Sequence, residues 1–306
     1  HAPVTSQPTL FDSIPVSDVS SDETTSHENY VLEDRESVTG AKTKYRNNIT
    51  AIKVLKQIEA EYRTATLEEQ KQLSLYSGWG GLANAFESDN DKWKNEYSEL
   101  KELLTDDEYT AARSSVLDAF FTDSVIIDSI YKVMQNAGFK GGNILEPAMG
   151  IGNFFGRLPS ELRENSKLYG VEKDSLSGRI AQKLYPQADI TVAGFETTDR
   201  RDFYDLAIGN VPFGQYKVND KAYNKLGFSI HNYFFAKTID QIRPGGVIAF
   251  VTSHFTMDSK DSSARKYMAE RANLLGAIRL PNDAFKANAG TEVVSDIIFL
   301  QKRDRP

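Results

Sequence analysis

Cysteine is absent from the 306 residues. Its absence excludes disulfide staples and thiolate metal sites, and favours a cytoplasmic setting. Histidine is scarce: His1, His27, His231 and His254 are the only four and stand at no ligand spacing, so no metal site is expected. No run approaches the roughly 18 apolar residues of a membrane span. The opening HAPVTSQPTLFDSIPVSD has no basic stretch followed by an apolar one, so no secretory signal is read and no membrane partner is expected. A surplus of positive charge, the usual footprint of nucleic-acid binding, is missing too, since the net charge is −7. Its distribution matters more than its sum. Residues 1–40 hold eight acids against Arg35 and carry all of it. The neutral remainder is free to present a basic face, so charge excludes no partner.

What is present is apolar enough for a sizeable core, with 40% hydrophobic and 11% aromatic residues. Residues 1–40, rich in Ser, Thr, Asp and Glu, read as a disordered acidic tail or linker. Residues 41–118 read as a helical subdomain. Ile49, Ile52, Leu55, Ile58 and Tyr62 fall on one helical face. TLEE (66–69) and TDDE (105–108) carry the capping-box signature, and SGWGG (77–81) reads as a helix stop. Over 119–306 the texture changes to short apolar strands at 143–146, 167–172, 189–192, 205–210, 246–253, 274–280 and 296–302. Helical stretches separate most of them, one of these ended by Arg243-Pro244-Gly245-Gly246. The alternation predicts a parallel sheet covered on both faces, with the last two strands an antiparallel pair at one edge.

Two strand ends bear chemistry. NILEPAMGIGNFFG takes the first strand through Glu146-Pro147 into a Gly150-Ile151-Gly152 turn and a helix from Asn153. Ligands of open parallel sheets bind at such turns, where glycine lets backbone approach closely. A dinucleotide fingerprint needs its third glycine one residue before Gly156, and the Gly-Lys-Ser/Thr of a P-loop is absent. The acid-proline pair points instead to a nucleoside with a cationic amino-acid arm, because a carboxylate repels pyrophosphate. Glu172, closing the second strand, suits a ribose. The second strand end is DLAIGNVPFGQY, beside the first strand and opening on the same cleft. Asn210 and the Val211 carbonyl are acceptors for the two hydrogens of an exocyclic amine, and Phe213 is a stacking surface for a base taken out of a duplex.

In order along the chain, ILEPAMGIGNF, YGVEKD, IGNVPFG and PGGVIAFVTS resemble the cofactor and catalytic motifs of S-adenosylmethionine-dependent adenine-N6 DNA methyltransferases. With YSGWGGL and LGAIRLPNDAFKANAGTEV, the chain most resembles the methylase-like domain of large helicase–methylase fusion proteins of phages and conjugative elements. The resemblance covers roughly residues 41–305. It implies a Rossmann-like α/β sheet of seven strands, S-adenosylmethionine as cofactor, DNA as partner, and further domains, helicase among them, in a larger mobile-element polypeptide. By the same resemblance Phe121 and Thr122 contact the methionine part of the cofactor. Glu146, Pro147, Gly150, Gly152 and Asn153 line its amino-acid end, Glu172 holds the ribose, and Lys173 or its neighbours flank the adenine. Asn210, Val211, Pro212 and Phe213 occupy the catalytic tetrapeptide, usually Asn or Asp, Pro, Pro, then Tyr or Phe.

The chain departs from the pattern at three points. Val211 replaces a proline and loosens the turn. Asp123 stands where proline is common. Phe195 stands near the usual adenine-reading carboxylate; either Glu196 substitutes or the contact is lost. Sequence-specific DNA reading is expected from elsewhere. The same motif also serves RNA bases and protein glutamines, and a fold that has lost catalysis and only binds DNA or docks a helicase is a further alternative. Other residues have two readings each. Trp79 is a cap over the cleft or a packing anchor, and Phe285 holds a flipped base or packs its loop. His254 and Phe255 face the cleft or are ordinary structure. Lys260, Arg265, Lys266 and Arg271 meet DNA phosphates or solvent.

Overall fold

The computed structural model describes residues 25–117, 121–281 and 294–305. Helices α1 (Ala41–Ala60), α2 (Leu67–Leu73), α3 (Lys94–Leu103) and α4 (Asp106–Ser114) come first. Both capping boxes form: Thr66 with Glu69 opens α2, and Thr105 with Glu108 opens α4. Each box satisfies two otherwise orphaned backbone donors. Ile49, Ile52, Leu55 and Ile58 of α1 are buried as one stripe. Tyr62 does not join them. It lies past the helix end, at φ 51° and 96% exposed, because the chain turns away before the periodicity is complete.

Next come α5 (Ser124–Asn136), β1 (Asn143–Glu146), α6 (Asn153–Gly156), α7 (Ser160–Arg163), β2 (Lys167–Glu172), α8 (Ser175–Leu184) and β3 (Asp189–Val192). The chain continues through β4 (Tyr204–Asn210), α9 (Ile230–Gln241), β5 (Ile242–Ser253), α10 (Phe255–Asp258), α11 (Ser263–Arg271), β6 (Ala272–Arg279) and β7 (Ser295–Lys302). The strands form one sheet in the order β3-β2-β1-β4-β5-β7-β6. β1 to β5 are parallel, and β7 runs antiparallel between β5 and β6. Arg243 to Gly246, read as a helix stop, lies inside β5.

Side chains alternate across the central strands, as the pleat requires. Leu206, Ile208, Ala249, Val251, Ile297 and Phe299 join α1, α5, α6 and α8 in one apolar cluster. Ala207, Ile248, Phe250, Ile298 and Leu300 join α9 and α11 in the other. Both faces are therefore buried, which is why these strands read as continuous apolar runs.

Residues 25–40, part of the segment read as a disordered acidic tail or linker, lie against the folded body. The Ser26 N–H donates to the Ala65 carbonyl, Tyr30 to Leu184 and Leu32 to Gly156, at 2.7–2.9 Å. Leu184 and Gly156 are the last residues of α8 and α6, whose terminal carbonyls lack helical partners. Leu32 is buried, and a Cβ on Gly156 would sit 2.8 Å from its Cβ. Gly156 thus makes room for this strap.

Candidate active site

The C-terminal ends of β1, β2 and β4 converge on a cavity of about 300 Å³. At the end of β1, Glu146 is 2% exposed and its Oε2 has no hydrogen-bond partner. Burial, and then the charge of Glu172, raise its carboxyl well above the usual carboxylate range. Glu172 closes β2 and accepts from the Gly150 N–H at 2.5 Å and the Asp174 N–H at 3.0 Å. Burial pushes its carboxyl up to about 7 against these bonds. Asp174 also caps α8 by accepting from the Ser177 N–H at 2.9 Å.

The two glycines of the turn differ. Gly150, at φ 57°, lines the cavity, and a Cβ there would meet nothing within 4 Å. Gly152, at φ 90°, lies outside the lining. Its Cβ would stand 2.6 Å from Tyr185 and 2.9 Å from Met149, so it serves packing.

β4 brings Asn210 to the same cavity. The strand comes close to β1 because Gly209, at φ 151°, would place a Cβ 3.2 Å from Glu146 Cγ. The Asn210 Nδ2 donates to Thr122 Oγ1 at 3.1 Å. Its other amide end is left as the acceptor. Val211 is buried and its N–H donates to the Val251 carbonyl of β5 at 3.0 Å. A proline there has no such donor, so this departure exchanges ring rigidity for a ladder bond. Asp123, the second departure, caps α5 by accepting from the Val125 N–H at 2.8 Å.

Of the residues singled out in the sequence, Phe121, Thr122, Glu146, Gly150, Asn153, Glu172, Asn210, Val211, Pro212 and Phe213 line this one cavity. Four do not. Pro147 is buried outside the lining, Gly152 packs on Tyr185, Lys173 is exposed, and Glu196 lies beyond the lining. Phe195 stacks on Phe234 at 4.8 Å in the core, which carries the segment after β3 away from the cleft. Asp174, the neighbour of Lys173, lines the cavity, and so do Tyr76, Ser115, Ser177 and Tyr216, which the motifs did not mark. Only Asp174 left a local signal, an Asp placed to cap the helix at Ser175. Trp79 both packs and lines the cleft. His254 and Phe255 stand outside the lining, and Phe285 lies outside the described residues. The basic residues share no single helix face: Lys260 precedes α11, and Arg271 stacks over Tyr267 at 3.6 Å.

Residues 98–306 match the N-6 DNA methylase family. The chain belongs to that family. It is 32% identical over 190 residues to the defense against restriction protein B of Escherichia phage P1, covering 60% of this chain and 8% of the phage protein. Over 94 residues it is 35% identical to the type II methyltransferase M.CvrRI of Paramecium bursaria Chlorella virus XZ-6E, covering 31% of this chain and 24% of that protein. The chain thus spans only a small part of these relatives.

The fold is that of methyltransferases. A Listeria monocytogenes structure described as a class I S-adenosylmethionine-dependent methyltransferase superposes with TM-score 0.53 at 19% identity, covering 87% of this chain and 91% of that one. The modification subunit of a type I restriction enzyme from Vibrio vulnificus YJ016 gives 0.51 at 17%, covering 79% and 54%. Among the described residues no helix is long and apolar enough to cross a membrane, and no cluster of His, Asp and Glu could hold a metal ion.

Proposed function

We propose that this chain methylates the N6 amine of adenine in DNA, using S-adenosylmethionine bound along the ends of β1 and β2. One observation carries the reading: Asn210 shares a single cavity with Glu146, Gly150 and Glu172. The residues suit the cofactor. A buried carboxylate oxygen without a partner fits a cationic amino group, and the second carboxylate fits the paired hydroxyls of a ribose. When bound, S-adenosylmethionine supplies a methyl group on a positively charged sulfur.

The chain's own residues position the acceptor. Thr122 holds the Asn210 NH₂, so Asn210 Oδ1 accepts one hydrogen of the adenine amine. The Val211 N–H, tied to Val251, anchors the residue whose own carbonyl accepts the other. Phe213 stacks on the base. The amine lone pair is then aimed at the methyl carbon, and the surplus proton leaves to water after transfer. Catalysis rests on orientation, with no strongly basic side chain required.

The small share of the phage relative that this chain covers supports a place in a larger polypeptide. In it, residues 41–118 and 119–306 form the helical and catalytic parts. Helicase and DNA-recognition functions lie in other domains, in the setting of a mobile element.

Incubation with methyl-labelled cofactor and, in parallel, duplex DNA, RNA and a glutamine-containing peptide tests the acceptor. Digestion of the DNA is expected to return the label in N6-methyladenine. Label in RNA or peptide alone would replace the acceptor. DNA binding without transfer, unaffected by Asn210→Ala, would support a fold that has lost catalysis.

A further inference from the structure

The chemistry at Asn210 makes no use of the Ser77–Gly81 turn, SGWGG. Asn48 of α1, fully buried, holds this turn from both sides: its Nδ2 donates to the Gly78 carbonyl at 2.5 Å, and its Oδ1 accepts from the Ser77 N–H at 2.9 Å. Gly78 and Gly81 take φ of 73° and 74°, where a side chain is disfavoured. Tyr76 and Trp79 flank the turn edge to face at 6.3 Å, and Trp79 meets Phe86 in the same way at 5.6 Å. Packing alone explains these contacts.

The position of the turn points further. Tyr76, Gly78 and Trp79 form a wall of the catalytic cleft together with Glu172, Asp174 and Ser177 at the end of β2. Burial raises the Tyr76 phenol well above its ordinary value, and the nearby Asp174 charge adds to this. The hydroxyl therefore stays a neutral donor beside the strand end that suits a ribose. The opposite side is bare of candidates. Among the described residues, the lining includes nothing from β3 or from the Phe195–Thr197 turn after it. Recognition of a nucleoside needs a few convergent polar groups, and the Tyr76 hydroxyl adds one beside Glu172, Asp174 and Ser177.

We propose that the Tyr76–Gly81 segment is the nucleoside-side wall of the cofactor site, with the Tyr76 hydroxyl hydrogen-bonded to the adenosine part of S-adenosylmethionine and the Trp79 ring closing the slot. The inference rests on the reading of the cleft as a cofactor site. It makes the N-terminal helical segment a working part of that site, filling the place left by the segment after β3.

The test is calorimetric titration of the wild-type chain, Tyr76→Phe and Glu172→Gln. One titrant is S-adenosylmethionine. The other is 5′-methylthioadenosine, which keeps the nucleoside and lacks the amino-acid arm. Tyr76→Phe is expected to weaken both ligands about tenfold, as for one lost hydrogen bond, with Tm unchanged. Wild-type affinity in Tyr76→Phe alongside weak binding by Glu172→Gln overturns this inference and leaves the cofactor reading standing. Weakening of S-adenosylmethionine alone also overturns it, because Tyr76 would then serve the amino-acid end. A folded wild-type chain that binds neither ligand overturns the cofactor reading and this inference together.

Discussion

Asn210 can orient an amine only if its amide does not turn over, and Thr122 Oγ1, 3.1 Å from Nδ2, is the group that prevents this. Thr122→Val keeps the shape and removes the acceptor. It is expected to lower kcat about tenfold while cofactor affinity holds, with Thr122→Ser near wild type. A loss of cofactor affinity in Thr122→Val would instead place Thr122 on the methionine part of the cofactor, as the sequence motif implies.

Glu172 makes a second prediction through its proton. Its carboxyl is raised from 4.5 to about 7, so between those values the folded chain holds a proton that the unfolded chain releases. The group's own contribution to stability is thus present at low pH and lost as pH rises through about 7. Cofactor binding runs the other way, because a ribose needs both oxygens as acceptors. Affinity is expected to rise from about pH 6 to about pH 8, and Glu172→Gln to flatten that dependence. Gly150 and Gly152 share one expected role in the motif, and only Gly150 lies at the cleft. Which glycine faces a ligand and which faces Tyr185 depends on a residue 33 positions away from Gly152, and spacing carries no trace of it.

At the scale of elements, the turn between β1 and α6 separates these two glycines in a measurable way. Gly152→Val meets Tyr185 and Met149 at a left-handed φ, and is expected to cost about 2–4 kcal/mol in urea unfolding. Gly150→Ala meets open space and costs about 1 kcal/mol from its backbone conformation alone, yet it narrows the cleft and weakens cofactor binding. Similar stability losses in both would remove the distinction.

The strands themselves were legible because a sheet buried on both faces leaves continuous apolar runs. β1 and β2 begin and end as the sequence predicts, and so does β3, although it lies at the sheet edge with none of its residues buried. β5 begins at Ile242, earlier than its apolar run, since Tyr204 of β4 pairs with Ile242 across a break in register. Proline and glycine there mark an irregular strand start, which reads in sequence as a stop. The capping boxes were legible because Thr and Glu three apart satisfy each other locally.

At the scale of the whole molecule, what the sequence hid is how the N-terminal segments dock. Arg179 of α8 donates to Glu59 of α1 at 2.9 and 2.6 Å and to Glu108 of α4 at 2.7 Å, and Lys56 reaches Glu108 at 2.7 Å. Burial opposes the Glu108 charge, but the Arg179 and Lys56 bonds outweigh it and hold the carboxyl down at about 2. These partners lie 52 to 120 residues apart. The strap at residues 25–40 escaped notice for a related reason: its acidic average conceals Tyr30 and Leu32, whose N–H groups seek helix-terminal carbonyls.

The docking brings the SGWGG turn to the cleft, and the sheet brings Asn210 to the glutamates, so one cavity joins the proposed cofactor and acceptor sites. The most direct test is single-turnover transfer of labelled methyl to duplex DNA by wild-type and Asn210→Ala protein, with cofactor binding measured on the same preparations. The wild type is expected to place label on adenine N6. Asn210→Ala is expected to bind cofactor as well as wild type while transferring about 100-fold more slowly, the scale of a lost orientation. Equal transfer by the two proteins, or no transfer by a wild type that binds both cofactor and DNA, would contradict the account.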